Sequence, residues 1–184
     1  MTGQELVKET VYDAVGIDGK TFNEWLSVLV AGDIIHLLQP YSGVSAVKRV
    51  SKRPKVYFKD TGLACYLSRI ADASTLGSSY LKGPMAETYI INEILKGYEN
   101  RKENAAFYHY RDSAGGEIDL LIQKGGSLSL IECKAGVDIS IGDTGAMRRF
   151  APKDDSVCSR CVVCLTSKPY VLKNGIPVIP VSSI

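Results

Sequence analysis

Asp119, Glu132 and Lys134 have the types and spacing for metal-dependent chemistry on a phosphate. They lie on two apolar segments, Glu117–Gln123 and Ser129–Ala135, separated by a turn. The linker is Lys124-Gly125-Gly126-Ser127. Gly-Gly at a turn centre favours a two-residue hairpin, because both residues accept positive φ. Centring the turn there pairs Lys124 with Ser127, Leu121 with Leu130, Asp119 with Glu132 and Glu117 with Lys134. Alternation then sorts the faces. Ile118, Leu120, Ile122, Ile131 and Cys133 fall on one face. Glu117, Asp119, Glu132 and Lys134 gather at one end of the other, with Leu121, Leu128 and Leu130 nearer the turn. Asp119 and Glu132 would then face each other at about 5 Å between Cβ atoms, where like charges are unfavourable. A divalent cation held by hard oxygen ligands would offset that. An ammonium at Lys134 could stabilise a phosphoryl transition state or position a water.

A fourth residue comes from a helix expected over about Pro84–Tyr98. Glu87 shares a stripe with Ile91, Ile94 and Tyr98, which should face the sheet. A carboxylate there needs a partner or a metal. Plainer readings exist for each residue: a Glu117–Lys134 cross-strand ion pair, an Asp119–Glu132 pair at a solvated sheet end, and Glu87 paired with Arg111. The ordered set in a matched hairpin favours a site.

The elements that must position these residues follow in the order α-β-β-β-α-β-β. They are the Pro84–Tyr98 helix, strands Ala106–Arg111, Glu117–Gln123 and Ser129–Ala135, a helix over Asp143–Phe150, and strands Arg160–Thr166 and Pro177–Val181. A short helix, Gly62–Arg69, precedes them. The fold class expected is α/β.

Residues 1–60 read differently. A helix over Gln4–Val15 is followed by a turn and a second helix from Thr21 to about Ala31. Thr21 and Glu24 suggest a capping box, Phe22, Trp25, Leu26 and Leu29 an apolar stripe, and Gly32 the end. Two strands then flank a basic run, Lys48, Arg49, Lys52, Arg53, Lys55 and Lys59, with no acidic residue between Val47 and Lys59. This is the layout of a winged helix, and Lys48, Arg49, Lys52, Arg53 and Lys55 become candidate contacts to DNA phosphates. Winged helices also serve as protein-contact modules. The division expected is 1–60 for this segment and 61–184 for the rest. Gly19-Lys20-Thr21 resembles the tail of a phosphate-binding loop, but Ala14 stands where a glycine is required and no buried strand precedes it. No nucleotide is expected.

The net charge of +2 in 184 residues identifies no partner. No apolar run approaches the ~18 residues of a membrane span, and Glu5 and Glu9 do not fit a signal peptide. A cytoplasmic location is the expectation. The cysteines Cys65, Cys133, Cys158, Cys161 and Cys164 are odd in number, which favours free thiols. Cys158, Cys161 and Cys164 are spaced like metal ligands, but a fourth ligand is lacking, and a buried strand explains them better. His109 is expected to be a hydrogen-bonded structural histidine, and His36 suggests no role.

A helix with Glu87, then strands with Asp119 and Glu132-Cys133-Lys134, resembles the PD-(D/E)xK nuclease superfamily. The resemblance implies a restriction-endonuclease-like core (α-β-β-β-α-β) behind the winged-helix-like segment. It implies Mg²⁺ or Mn²⁺ on Asp119, Glu132, Glu87 and the Cys133 carbonyl, with Lys134 as catalytic lysine. A closer resemblance rests on Lys55-Val56-Tyr57-Phe58-Lys59-Asp60-Thr61-Gly62-Leu63, Gly83-x-x-x-Glu87, Glu117-Ile118-Asp119-Leu120 and Glu132-Cys133-Lys134-Ala135-Gly136. These are similar to the C-terminal region of a prokaryotic AAA+-type ATPase family whose nuclease-like domain has no characterised function. An upstream ATPase domain, absent from this chain, would be the implied partner. The chain would then be a metal-dependent phosphodiesterase acting on DNA, or a non-catalytic DNA- or protein-binding module regulating that ATPase.

Overall fold

A computed structural model of the chain describes residues 2–43, 53–112 and 115–184. Lys48, Arg49 and Lys52 lie outside these residues.

The chain opens with a two-residue strand β1 (Gln4–Glu5), then α1 (Lys8–Val15) and α2 (Gly19–Ala31). The start of α2 corrects the expected capping box. The cap is Asp18, whose Oδ1 accepts the amides of Lys20 and Thr21 at 2.8 and 3.0 Å. An aspartate at that position satisfies free first-turn N–H groups directly. Gly32 closes the helix. Of the expected stripe only Phe22 is buried, and Trp25 remains 56% exposed.

β2 (Ile35–Pro40) and β3 (Lys55–Phe58) form the expected antiparallel pair, with Leu37 opposite Val56. The other edge of β2 joins β4 (Ala106–Arg111) in parallel, through Gln39–Tyr108 and Pro40–His109. One sheet therefore crosses the boundary expected near residue 60. Between β3 and β4 lie α3 (Thr61–Leu67), the unforeseen α4 (Ala73–Ser78) and the long α5 (Lys82–Asn100). After β4 come β5 (Glu117–Lys124), β6 (Ser127–Lys134), α6 (Gly145–Phe150), β7 (Val157–Cys164), β8 (Tyr170–Val171) and β9 (Pro177–Pro180).

The nine-stranded sheet has the order β1-β3-β2-β4-β5-β6-β7-β9-β8. Antiparallel and parallel ladders alternate in blocks: β4–β5–β6 is an antiparallel meander, and β6–β7–β9 is parallel. The fold is mixed α/β.

The two larger cores cover the two faces of the sheet. On one face Ile90, Ile91 and Leu95 of α5 pack on Leu120, Ile122, Ile131 and Cys133, joined by Leu38 and Tyr57. On the other, Met147 and Phe150 of α6 pack on Leu121, Leu128, Leu130 and Tyr110. Ile118 belongs to this second core, not to the face that strict alternation gives it. The reason is a register shift between β4 and β5: Tyr108 pairs with Leu121, but Tyr110 pairs with Ile118. β5 carries one more residue than β4 across that interval, a bulge, and its side chains exchange faces there. The extra backbone lies at Asp119–Leu120.

Candidate functional site

The Gly-Gly turn forms as expected, with φ of 55° at Gly125 and 83° at Gly126. The hairpin register runs from Lys124–Ser127 to Leu120–Ile131. It ends one step short of the expected Asp119–Glu132 pair. Asp119 instead turns its carboxylate onto the partner backbone, where Oδ2 accepts the Cys133 N–H at 2.8 Å. That bond takes an amide a regular ladder would use, so the bulge and the side chain together open the sheet end.

β3, α5, β5 and β6 deliver charged groups to this opening. Lys55 and Tyr57, two apart on β3, point the same way. The Lys55 ammonium lies 2.8 Å from Glu87 Oε1 and 3.7 Å from Asp119 Oδ1, and it also pairs with Glu117. Tyr57 Oη donates to the same Glu87 Oε1 at 2.5 Å. Lys134 Nζ contacts Glu132 Oε1 at 2.8 Å, while Glu132 Oε2 is buried without a hydrogen-bond partner. Glu132 is 6% exposed and Lys55 4%. Behind the cluster the His36 ring stacks on Tyr57, with centroids 5.2 Å apart.

Electrostatics follow from this crowding. Burial, then the charges of Glu87 and Glu132, raise the Asp119 carboxyl well above the usual carboxylate range. Burial raises Glu132 to about 7, against the opposing pull of Lys134. For Lys55, burial disfavours the ammonium, but Glu87, Asp119 and Glu117 outweigh it and the net shift is upward. Desolvation alone would push a buried lysine down, so its three carboxylate neighbours dominate.

The structure brings Glu87, Asp119, Glu132 and Lys134 to one end of the sheet, as the sequence suggested. It does not bear out the plainer pairings. Glu87 pairs with Lys55, while Arg111 is 3.5 Å from Glu5. Glu117 also pairs with Lys55, and Lys134 with Glu132. Cys133 contributes its N–H to Asp119. The placement of Lys55 among phosphate contacts is corrected: it is buried in the acidic cluster because three carboxylates draw it inward. Arg53 is exposed at the start of the described segment. Sequence patterning does not place Lys55 or Tyr57 in this acidic cluster, where both contact Glu87. Their two-residue spacing on one strand ahead of Asp60 is the available signal, hidden by the surrounding basic run.

His109 is fully buried, with Nε2 3.1 Å from the Arg53 carbonyl. Cys161 packs with the α5-side core, whereas Cys164 lies in a separate core with Val162 and Val178. On opposite faces of β7 they cannot close on one ion.

Four carboxylates lie near two ammonium groups, and one buried carboxylate oxygen has no hydrogen-bond partner. The arrangement is not itself a ligand set. Among the described residues no three His, Cys, Asp or Glu side chains are disposed to hold a metal ion, and the Lys55 ammonium lies among the carboxylates. No helix among the described residues is long and apolar enough to cross a membrane.

Residues 82–184 match the family described as Domain of unknown function (DUF4143), and the chain belongs to that family. Residues 1–74 match a second family, described as Domain of unknown function (DUF8612). The cluster draws on both stretches, Lys55 and Tyr57 from one and Glu87, Glu117, Asp119, Glu132 and Lys134 from the other. No curated protein and no solved structure matches the chain.

Proposed function

We propose that the chain is the nuclease-like, C-terminal part of an ATPase-family protein, with a restriction-endonuclease-like core and a winged-helix-like segment. Its reaction would be metal-dependent hydrolysis of DNA phosphodiesters. One observation carries the reading. Carboxylates from α5, β5 and β6 converge at the open end of the sheet beside Lys134, and one of their oxygens, Glu132 Oε2, is buried with nothing to satisfy it. Leaving a buried carboxylate oxygen unpaired is costly, and a ligand at that position would recover the cost.

Mg²⁺ or Mn²⁺, when bound, would polarise the phosphate and lower the pKa of a water. The protein's own contribution is positional. Asp119 is locked by the Cys133 N–H, so its remaining oxygen faces the cluster. Lys134 neutralises Glu132 and holds an ammonium at the sheet end, where it could meet developing negative charge. Arg53 and the neighbouring basic residues Lys48, Arg49 and Lys52 would supply phosphate contacts.

The test is Mn²⁺ titration by calorimetry of wild type and Asp119→Ala, followed by cleavage assays on single- and double-stranded DNA and RNA. Asp119→Ala should weaken Mn²⁺ binding and lower cleavage by about 100-fold or more, and Lys134→Ala should lower cleavage to a similar degree. Absence of cleavage of every substrate, also with the ATPase part supplied, sinks the reading. A second reading, a non-catalytic DNA- or protein-binding module, is favoured by the Lys55 ion pairs, which already compensate the cluster. It requires Asp119→Ala and Lys134→Ala to leave binding intact.

A further inference from the structure

We propose that α2 is a docking helix for a second copy of this chain, and that its exposed apolar stripe seats in the groove that α5 forms with α3 and α4. Neither surface uses a residue of the acidic cluster.

The helix supplies the convex side. Trp25, Val28, Leu29 and Gly32 recur at i, i+3, i+4 and i+7, so they share one face of α2. Phe22, on the adjoining face, is buried. Trp25 and Val28 instead stand 56% and 67% exposed, and Leu29, Val30 and Ile34 are exposed beside them. A contiguous apolar surface left in water marks a contact site. Tryptophan is among the side chains that concentrate binding energy at interfaces.

The groove supplies the concave side. Its floor is one stripe of α5, Lys82, Met85, Ala86, Tyr89, Glu93 and Lys96. Its walls are the first turns of α3 and the helix α4. Two cavities of about 430 and 200 Å³ share Thr61 and Tyr89, so they form one trough. The larger is apolar, and Gly62, Gly77 and Ala86 keep it open because they carry little or no side chain.

Length, shape and charge match the two surfaces. α2 has 13 residues, about 20 Å, and the stripe from Lys82 to Lys96 spans about 21 Å. A cavity of about 430 Å³ is within the range that accepts a bulky group, and Trp25 is the bulkiest side chain that α2 exposes. Among the described residues lining that cavity Lys82 alone is charged, and it makes no ion pair with a described residue. Glu24 flanks the α2 stripe one turn before Val28 and supplies the opposite charge. Both surfaces are exposed in a single chain, so they do not cover each other and the occupant is another molecule. A foreign helix would need this length, an apolar stripe and an acid on its flank, all of which α2 already has. Contact between two unlike patches is head-to-tail, and it propagates to a ring or a filament rather than a two-fold dimer. One helix in one groove lies near the lower bound of specific interfaces, about 1,200 Å² in total, so micromolar association is expected.

The test is sedimentation velocity of the full chain from about 1 to 200 µM. Wild type should assemble across that range, and this arm needs no variant. Val28→Glu places a charge on the stripe, and Gly77→Phe fills the groove. Nothing lies within 4 Å of a Cβ built on Gly77, so the second change meets no clash at the backbone. Each variant alone should associate at least about tenfold more weakly. Mixed one to one they should form a dimer, because the intact α2 of the Gly77→Phe chain meets the intact groove of the Val28→Glu chain. Growth stops there, since the two remaining surfaces are blocked. Trp25 is the only tryptophan, and its emission should move to shorter wavelength on mixing. Wild type that stays monomeric at every concentration overturns the proposal and leaves the groove to a foreign partner. So does assembly that either variant leaves unweakened. A mixture that forms no dimer also overturns it, and points to a like-with-like contact of α2 instead.

Discussion

His36 shows how little a side chain's type reveals about its setting. Its imidazole lies flat against Tyr57, with both ring nitrogens buried and unpartnered. Burial first, then the nearby Lys59 charge, depresses it to about 4 from an ordinary 6.5. Between those values the unfolded chain takes up a proton that the folded protein refuses. Stability is therefore lost as pH falls from 6.5 toward about 4, and His36 contributes no pH dependence above that window. Glu132, raised from 4.5 to about 7 mainly by burial, acts oppositely. Its folded form holds a proton longer, so it costs stability as pH rises between those two values. The two effects overlap, so the comparison must be between variants. His36→Phe keeps the stack on Tyr57 and removes the titration. Relative to wild type it should gain up to about 3 kcal/mol by pH 4, because each tenfold loss of proton affinity is worth about 1.4 kcal/mol. Denaturant melts of both proteins across this range would show it, and a pH-independent difference would reject it.

At the scale of elements, the β5–β6 hairpin combines a rule and an exception. The rule is the turn. Gly125 and Gly126 both have positive φ, and nothing lies within 4 Å of a Cβ built on either. Gly126→Ala should therefore cost about 1–2 kcal/mol from backbone strain alone, with no clash to relieve. Thermal melts test this, and no loss would mean that the turn does not hold the register. The exception is the bulge at Asp119–Leu120. Period-two alternation assigns Ile118 to the same core as Leu120, yet one inserted residue sends it to the α6 side. The same insertion frees Asp119 from the ladder and lets its carboxylate seize the Cys133 N–H. The bulge is thus the local cause of the site's geometry.

At the scale of the whole molecule, the expected boundary near residue 60 runs through both the sheet and the site. Leu38 and Tyr57 pack in the same core as Ile90, Ile91 and Leu120. Lys55 compensates carboxylates on α5 and β5. A fragment of residues 61–184 would lose those apolar partners and leave the carboxylates facing one another. Breaking a buried ion pair costs about 3–5 kcal/mol by itself, a large share of a domain's stability. The fragment should show no cooperative melt and poorly dispersed amide resonances. Full-chain stability in the fragment would support the boundary at residue 60.

Much of the arrangement was legible because it is local. The Gly-Gly turn, the pairing from Lys124–Ser127 to Leu120–Ile131, and the apolar stripe of α5 each depend on residues a few positions apart, where period and turn chemistry operate. Those rules also gathered Glu87, Asp119, Glu132 and Lys134 at one end of the sheet. The cap at Asp18, the added helix α4 and the bulge were not legible, since competing local options differ by about 1 kcal/mol and packing selects among them. Least legible was the partner of the acidic cluster. Charge repulsion between opposed carboxylates demanded a cation, and the hairpin alone suggested a metal. Only the tertiary fold, by carrying β3 into the same sheet, brought Lys55 from a basic run far earlier in the chain into that position. A lysine's charge can be read from its letter, but whether it faces solvent or three carboxylates is decided by which strands meet.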